Sequence, residues 1–176
     1  MKFNVRVLSE NDYDDILVGW WKDWGWTPPI RDFLPLNGLG GIMIEWQGTP
    51  VCAGFVISTD SKVSWVDWII SSKTFREKPH RKDALHLLVQ TLTDVAKERG
   101  STYVYALIKN SPLVDVYLNN GYVKGENYNF EMINENGINK VEQANNSDKI
   151  VSCINLPEEI ETKFKSKSFL DYLFIF

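Results

Sequence analysis

Apolar and polar residues alternate from Phe3 to Val7, the period-two signature of a half-buried strand. Ser9 and the acidic residues after it open a helix, and Ile16, Leu17, Trp20 and Trp21 give that helix an apolar face. Gly19 weakens it, and Pro28-Pro29 cannot continue it. The Pro-containing segment that follows predicts a structured loop with one helical turn at Arg31–Leu34. Gly40–Trp46, Val51–Ser58 and Val63–Ile70 then read as three antiparallel strands, with turns at Gln47-Gly48 and Asp60-Ser61. A basic connector, Ser71–Arg81, leads into the clearest helix, Lys82–Arg99. There Leu85, Leu88, Leu92, Val95 and Ala96 share one face, and Gly100 ends the helix.

Tyr103–Ile108 is β-branched and aromatic, residues 112–119 form a short helix, and Gly121-Tyr122 restarts the chain as a strand. The order is strand, helix, three antiparallel strands, helix, strand, helix, strand. The crossover through the long helix predicts that its flanking strands are parallel. The fold class is therefore α/β (α+β), a mixed central sheet with flanking helices. Beyond residue 133 the character changes. Residues 134–149 are polar and Asn-rich, a linker or exposed hairpin; 150–154 is a candidate strand; and Pro157 with Glu158, Glu159 and Glu161 starts a helix. The apolar end, Phe169–Phe176, is expected to dock on its own domain, a second copy or a protein partner. The domain reading is 1–133 for the main domain and 134–176 for the extension.

Composition narrows the function classes. A chain of 176 residues suits one main domain. Its net charge of −4 gives no reason to expect nucleic-acid binding. No apolar run is long enough to span a bilayer, and the acidic N-terminus lacks a signal-peptide core. Cys52 and Cys153 have no metal-ligand spacing and read as free thiols in a reducing cytoplasm. With only His80 and His86 as histidines, no metal site is expected.

The residues at 102–122 carry more. Asn110 ends the strand, six residues follow, then Tyr117, three more residues and Gly121-Tyr122. This pattern resembles the fifth strand and fourth helix of the GNAT acetyltransferase superfamily, and the similarity covers roughly residues 3–133. The chain is also similar to small GNAT-type proteins of tailed phages. The resemblance implies acetyl transfer from acetyl-CoA to an amine of a small molecule or protein, by direct transfer in the cytoplasm. It implies that Tyr117 protonates the departing thiolate, and that the strand Trp68-Ile69-Ile70 and Asn110 line the coenzyme. The phosphate cradle of such proteins is a glycine-rich loop entering the long helix. Here that loop is Phe75–Ala84, and Pro79 and Arg81 stand where glycines belong. Arg76, Lys78, Arg81 and Lys82 are the cations available to replace the missing backbone contacts.

For proton abstraction from the amine, Asp67 and Glu45 are the candidates, one on each of two central strands. The tryptophans at 20, 21, 24 and 26 offer a cation–π wall for an amine, or a plain core cluster. Three functions stay open: an acyl-CoA-dependent N-acetyltransferase; a GNAT-fold binding or structural protein, such as a virion component, that has lost its coenzyme; and, more remotely, a related acyl or aminoacyl transferase.

Overall fold

The computed structural model describes residues 3–108 and 111–125. These form a five-stranded sheet in the order β1-β2-β3-β4-β5, with β1 Phe3–Val7, β2 Gly41–Trp46, β3 Thr49–Ser58, β4 Val63–Ser71 and β5 Tyr103–Tyr105. The first four strands pair antiparallel, and β4 and β5 pair parallel, as the crossover helix requires. Three α-helices accompany them: α1 Val18–Asp23, α2 Pro79–Glu98 and α3 Ser111–Asn119. The mixed sheet with flanking helices is the architecture expected from the chain. The expectations for 134–176, including the Phe169–Phe176 segment and Cys153, lie outside the described residues, as does Asn110.

Each sheet face has its own core. On one, Ile44, Cys52, Val56 and Val66 meet Leu85, Leu88, Val89, Leu92 and Ala96 of α2. On the other, Met43, Ala53, Phe55 and Ile70 meet Tyr13, Leu17, Trp21 and Leu34. The alternation of β3 explains the split: successive residues of a strand point to opposite faces, and both faces are covered. Gln47 and Gly48 both have positive φ, 50° and 79°, the backbone of a two-residue hairpin turn whose twist matches its strands.

Helix starts differ from the sequence reading. The first helix begins at Tyr13, with a π-helical turn over Tyr13–Leu17 before α1. Ser9 instead donates its backbone N–H to the Asp12 carboxylate at 2.5 Å, and Asp12 is held in turn by Arg6. The long helix begins at Pro79, three residues before Lys82, because proline suits the first helical position, where no N–H donor is needed. The fifth strand is shorter than Tyr103–Ile108. Its pairing with β4 stops at Tyr105, opposite Trp65, while β4 runs on to Ser71.

Candidate active site

A cleft follows from that early stop. Only Val63, Ser64 and Trp65 of β4 have partners on β5, so past Trp65 this edge of β4 has no β5 partner. A bulge marks that stretch. Ala53 pairs with Ile70 but Phe55 pairs with Asp67, so Gly54 alone opposes both Trp68 and Ile69. Trp68 takes φ 54°, a conformation costly for a bulky side chain. Two neighbours make it possible. The Trp68 N–H donates to Asp67 Oδ1 at 2.7 Å, and Gly54 leaves room that Ile69 and Leu92 fill. A bulge breaks the regular ladder, and backbone polar groups released from it must find other partners.

A cavity of about 70 Å³ lies along the end of β4. Ile69, Ile70 and Ser71 line it from the strand, Arg81 and Leu85 from α2, Pro112 and Leu113 from α3, and Trp24 and Trp26 from the turn after α1. Arg81 is half-buried here. Its Nε–H donates to Ser71 Oγ at 3.0 Å, and burial pulls its guanidinium below the usual arginine range. Trp24 donates its Nε1–H to the Ser71 carbonyl at 2.7 Å and stacks on Trp26 at 6.0 Å. Arg81, Lys73 and Arg76 place their charges 5.5, 5.7 and 5.8 Å from the Trp24 ring centre.

The α2 N-terminus beside this cavity has fewer free donors than a glycine loop would give. Pro79 has no N–H, and the Arg81 N–H is bonded to the Lys78 carbonyl at 3.1 Å. Lys78 and Lys82 lie exposed on the same turn. Arg76 is exposed and pairs with its neighbour Glu77 at 3.4 Å.

Tyr117 is buried one turn along α3 from Leu113 and does not line the cavity. Its hydroxyl donates to the Val66 carbonyl at 3.3 Å, at the first residue of β4 past the β5 pairing. Tyr122 packs edge-on against its ring at 4.9 Å and anchors through Thr93. Burial, then the nearby Tyr122 and Asp67, push the Tyr117 phenol well above its ordinary range, so it stays protonated.

The two carboxylates differ. Asp67 is half-buried on β4 beside the bulge. Glu45 is not brought to the cleft. It accepts from Arg6 Nε at 2.6 Å and from Asn4 Nδ2 at 2.9 Å, and the Arg6 hydrogen bond foremost lowers its pKa. A carboxylate held in that way resists taking a proton. Neither the bulge nor the Trp24–Ser71 bond was found from sequence. Gly54 is the one local sign of the first, and Trp24 and Ser71 are 47 positions apart. Among the described residues, no group of acidic, histidine or cysteine side chains is placed to hold a metal ion, and no helix is long and apolar enough to cross a membrane.

Solved structures share the fold. The glucosamine-6-phosphate N-acetyltransferase of Arabidopsis thaliana matches with a TM-score of 0.55 at 16% identity, covering 76% of this chain and 100% of its own. A probable acetyltransferase of meticillin-resistant Staphylococcus aureus matches with a TM-score of 0.55 at 18% identity, over 76% and 99%. AAC(6')-Iy, solved with the bisubstrate analogue CoA-S-monomethyl-acetylneamine, matches with a TM-score of 0.55 at 12% identity, over 76% and 99%. The chain has the fold of the GNAT acetyltransferases, as the residues from 102 to 122 implied. No protein-family model matches the chain, and no curated protein sequence matches it.

Proposed function

We propose that this protein is an N-acetyltransferase that transfers an acetyl group from acetyl-CoA to an amine, within the cleft between β4 and β5. The observation that carries the reading is the combination of strand parting and bulge: β4 leaves β5 at Trp65, and the stretch beyond that pairing is then broken at Trp68. Backbone groups on such a stretch suit an extended amide-bearing arm such as pantetheine, and a bulge re-aims an N–H toward a thioester carbonyl. The cations Arg76, Lys78, Arg81 and Lys82 cluster at the same end of the cleft, where the phosphates of the coenzyme would lie. The cleft residues fit CoA through these side chains more than through the helix N-terminus, whose first donors are missing or used.

Chemistry needs one proton removed and one supplied. Transfer joins the amine nitrogen to the acetyl carbon and breaks the carbon–sulfur bond. Asp67 is the carboxylate we assign to accept the ammonium proton, and Glu45 remains a structural partner of Arg6. Tyr117, protonated and at the point where the strands part, is assigned as donor to the departing sulfur. Lys78, Lys82 and Arg76 bind charge without touching the reacting atoms.

One set of observations favours the second reading, a fold kept for binding without catalysis. Pro79 and the Lys78–Arg81 bond remove cradle donors, and Trp24 is bonded to the end of β4. Thiol release from acetyl-CoA in the presence of a panel of primary amines separates the two. Amine-dependent release abolished by Asp67→Ala supports transfer. Absence of release with every amine, despite bound CoA, supports the binding protein.

A further inference from the structure

We propose that Trp24 is a gate: its indole stands in the polyanion site, and an acyl carrier bearing phosphates must displace it to enter. The proposal rests on the acetyl-CoA reading above and goes beyond it by naming what controls access.

Three observations converge on the segment Asp23–Trp26. The first is a latch. Trp24 Nε1–H donates to the Ser71 carbonyl at 2.7 Å, and Lys73 Nζ donates to the Asp23 carbonyl at 2.7 Å, so the end of α1 and the turn after it are tied to the last residue of β4 and to the turn that follows it. The second is charge. Lys73, Arg76 and Arg81 all lie within 6 Å of one indole. Among the described residues, the one ion pair made by these three is the exposed Arg76–Glu77 contact. Three clustered cations repel one another, and an aromatic face offsets only part of that repulsion. A pyrophosphate would offset far more and form charge-assisted hydrogen bonds that an indole cannot. The third is space. The cavity beside Trp24 and Trp26 has about 70 Å³, against the several hundred Å³ typical of pockets that hold a whole ligand.

The hinge is local. Gly25 has φ 76°, in the left-handed region that glycine enters and leaves at little cost, so it is the residue of the turn best able to change its backbone. The turn's backbone N–H groups bond only back to α1: Trp24 to the Trp20 carbonyl at 3.2 Å, Gly25 to the Lys22 carbonyl and Trp26 to the Trp21 carbonyl, each 2.9 Å. Opening breaks the Trp24–Ser71 bond and frees the Ser71 carbonyl to pair with the ligand. The gate therefore selects for a ligand with enough negative charge to outcompete the indole.

The test compares wild-type protein and Trp24→Phe by calorimetric titration with CoA, with circular dichroism to establish that the variant folds. Phenylalanine keeps an aromatic ring but cannot donate to Ser71. A latch of about 1 kcal/mol predicts that the variant binds CoA about 5-fold more tightly. Hydrogen exchange on the wild-type protein gives a second reading that needs no variant. Saturating CoA should speed exchange at the Gly25 and Trp26 amides, the reverse of ordinary ligand protection. CoA binding that is equal or weaker in the variant, or exchange at these amides that slows or stays the same, overturns the gate and leaves the acetyl-CoA reading standing. Absence of CoA binding in both proteins overturns the two together.

Discussion

The Tyr117 hydroxyl donates to the carbonyl of Val66, the first residue of β4 beyond its pairing with β5. At 3.3 Å this is a long hydrogen bond, so it contributes little to stability. It nevertheless aims the phenol at the wedge where the strands separate. Tyr117→Phe should therefore cut the rate of acetyl transfer by roughly 10²–10⁴ while leaving the thermal midpoint and CoA affinity near those of wild type. Steady-state kinetics beside a melting curve checks this. Full activity in the variant would remove Tyr117 from the mechanism and leave its ring as packing between α3 and Tyr122.

Arg81 and Arg76 differ in burial, which predicts unequal effects. Together, Arg76→Ala and Arg81→Ala should weaken CoA binding by roughly 2–4 kcal/mol. Most of the loss should come from Arg81, which lines the cavity, because Arg76 is exposed and screened by solvent. Calorimetry on the single and double variants measures the division.

The bulge on β4 makes a prediction about stability. A methyl group at position 54 would run into Ile69 and Leu92, both packed between sheet and α2. Gly54→Ala should cost about 1–3 kcal/mol, the usual range for overpacking a core. Denaturant unfolding gives the number directly. A neutral effect would mean that the strand and α2 can move apart, and that the bulge is not fixed by packing.

Arg6 bridges two carboxylates, Asp12 at 2.5 Å and Glu45 at 2.6 Å. The Arg6 hydrogen bond lowers the Asp12 pKa from 3.8 to about 2. The folded-state value is depressed, so the pair's stabilisation is present above the unfolded value and lost as pH falls through the folded one. Asp12→Asn should cost about 2 kcal/mol at neutral pH. The gap between variant and wild type should close between about pH 4 and pH 2. Urea unfolding across that range checks the sign. A gap that stays constant down to pH 2 would show that the cost comes from packing and not from the charge.

Local signals carried much of this fold, and long-range pairings carried much of the site. The strand segments β1 to β4, the leucine face of α2 and the Gln47-Gly48 turn are written within a few residues each, and the structure has them, although β3 is buried almost throughout and Val5 and Val7 of β1 are exposed. Glu45 read as a base because a strand pattern reveals a carboxylate but not its partner, and Arg6 is 39 positions away. Trp24 read as one member of an aromatic cluster, with its hydrogen bond to Ser71 invisible for the same reason. The bulge at Trp68 depends on Gly54 across the ladder, and alternation within β4 alone carries no sign of it. The Pro79 helix start was legible in principle, since proline at the first helical position is a local rule.

Calorimetric titration of the wild-type protein with CoA tests the central claim most directly. The cleft along β4, with Arg81 at its end, predicts saturable one-site binding that weakens as salt rises, because phosphates meet exposed cations. Arg81→Ala should reduce that affinity. No measurable heat up to millimolar CoA, in a protein whose melting curve shows it folded, would contradict the acetyltransferase account.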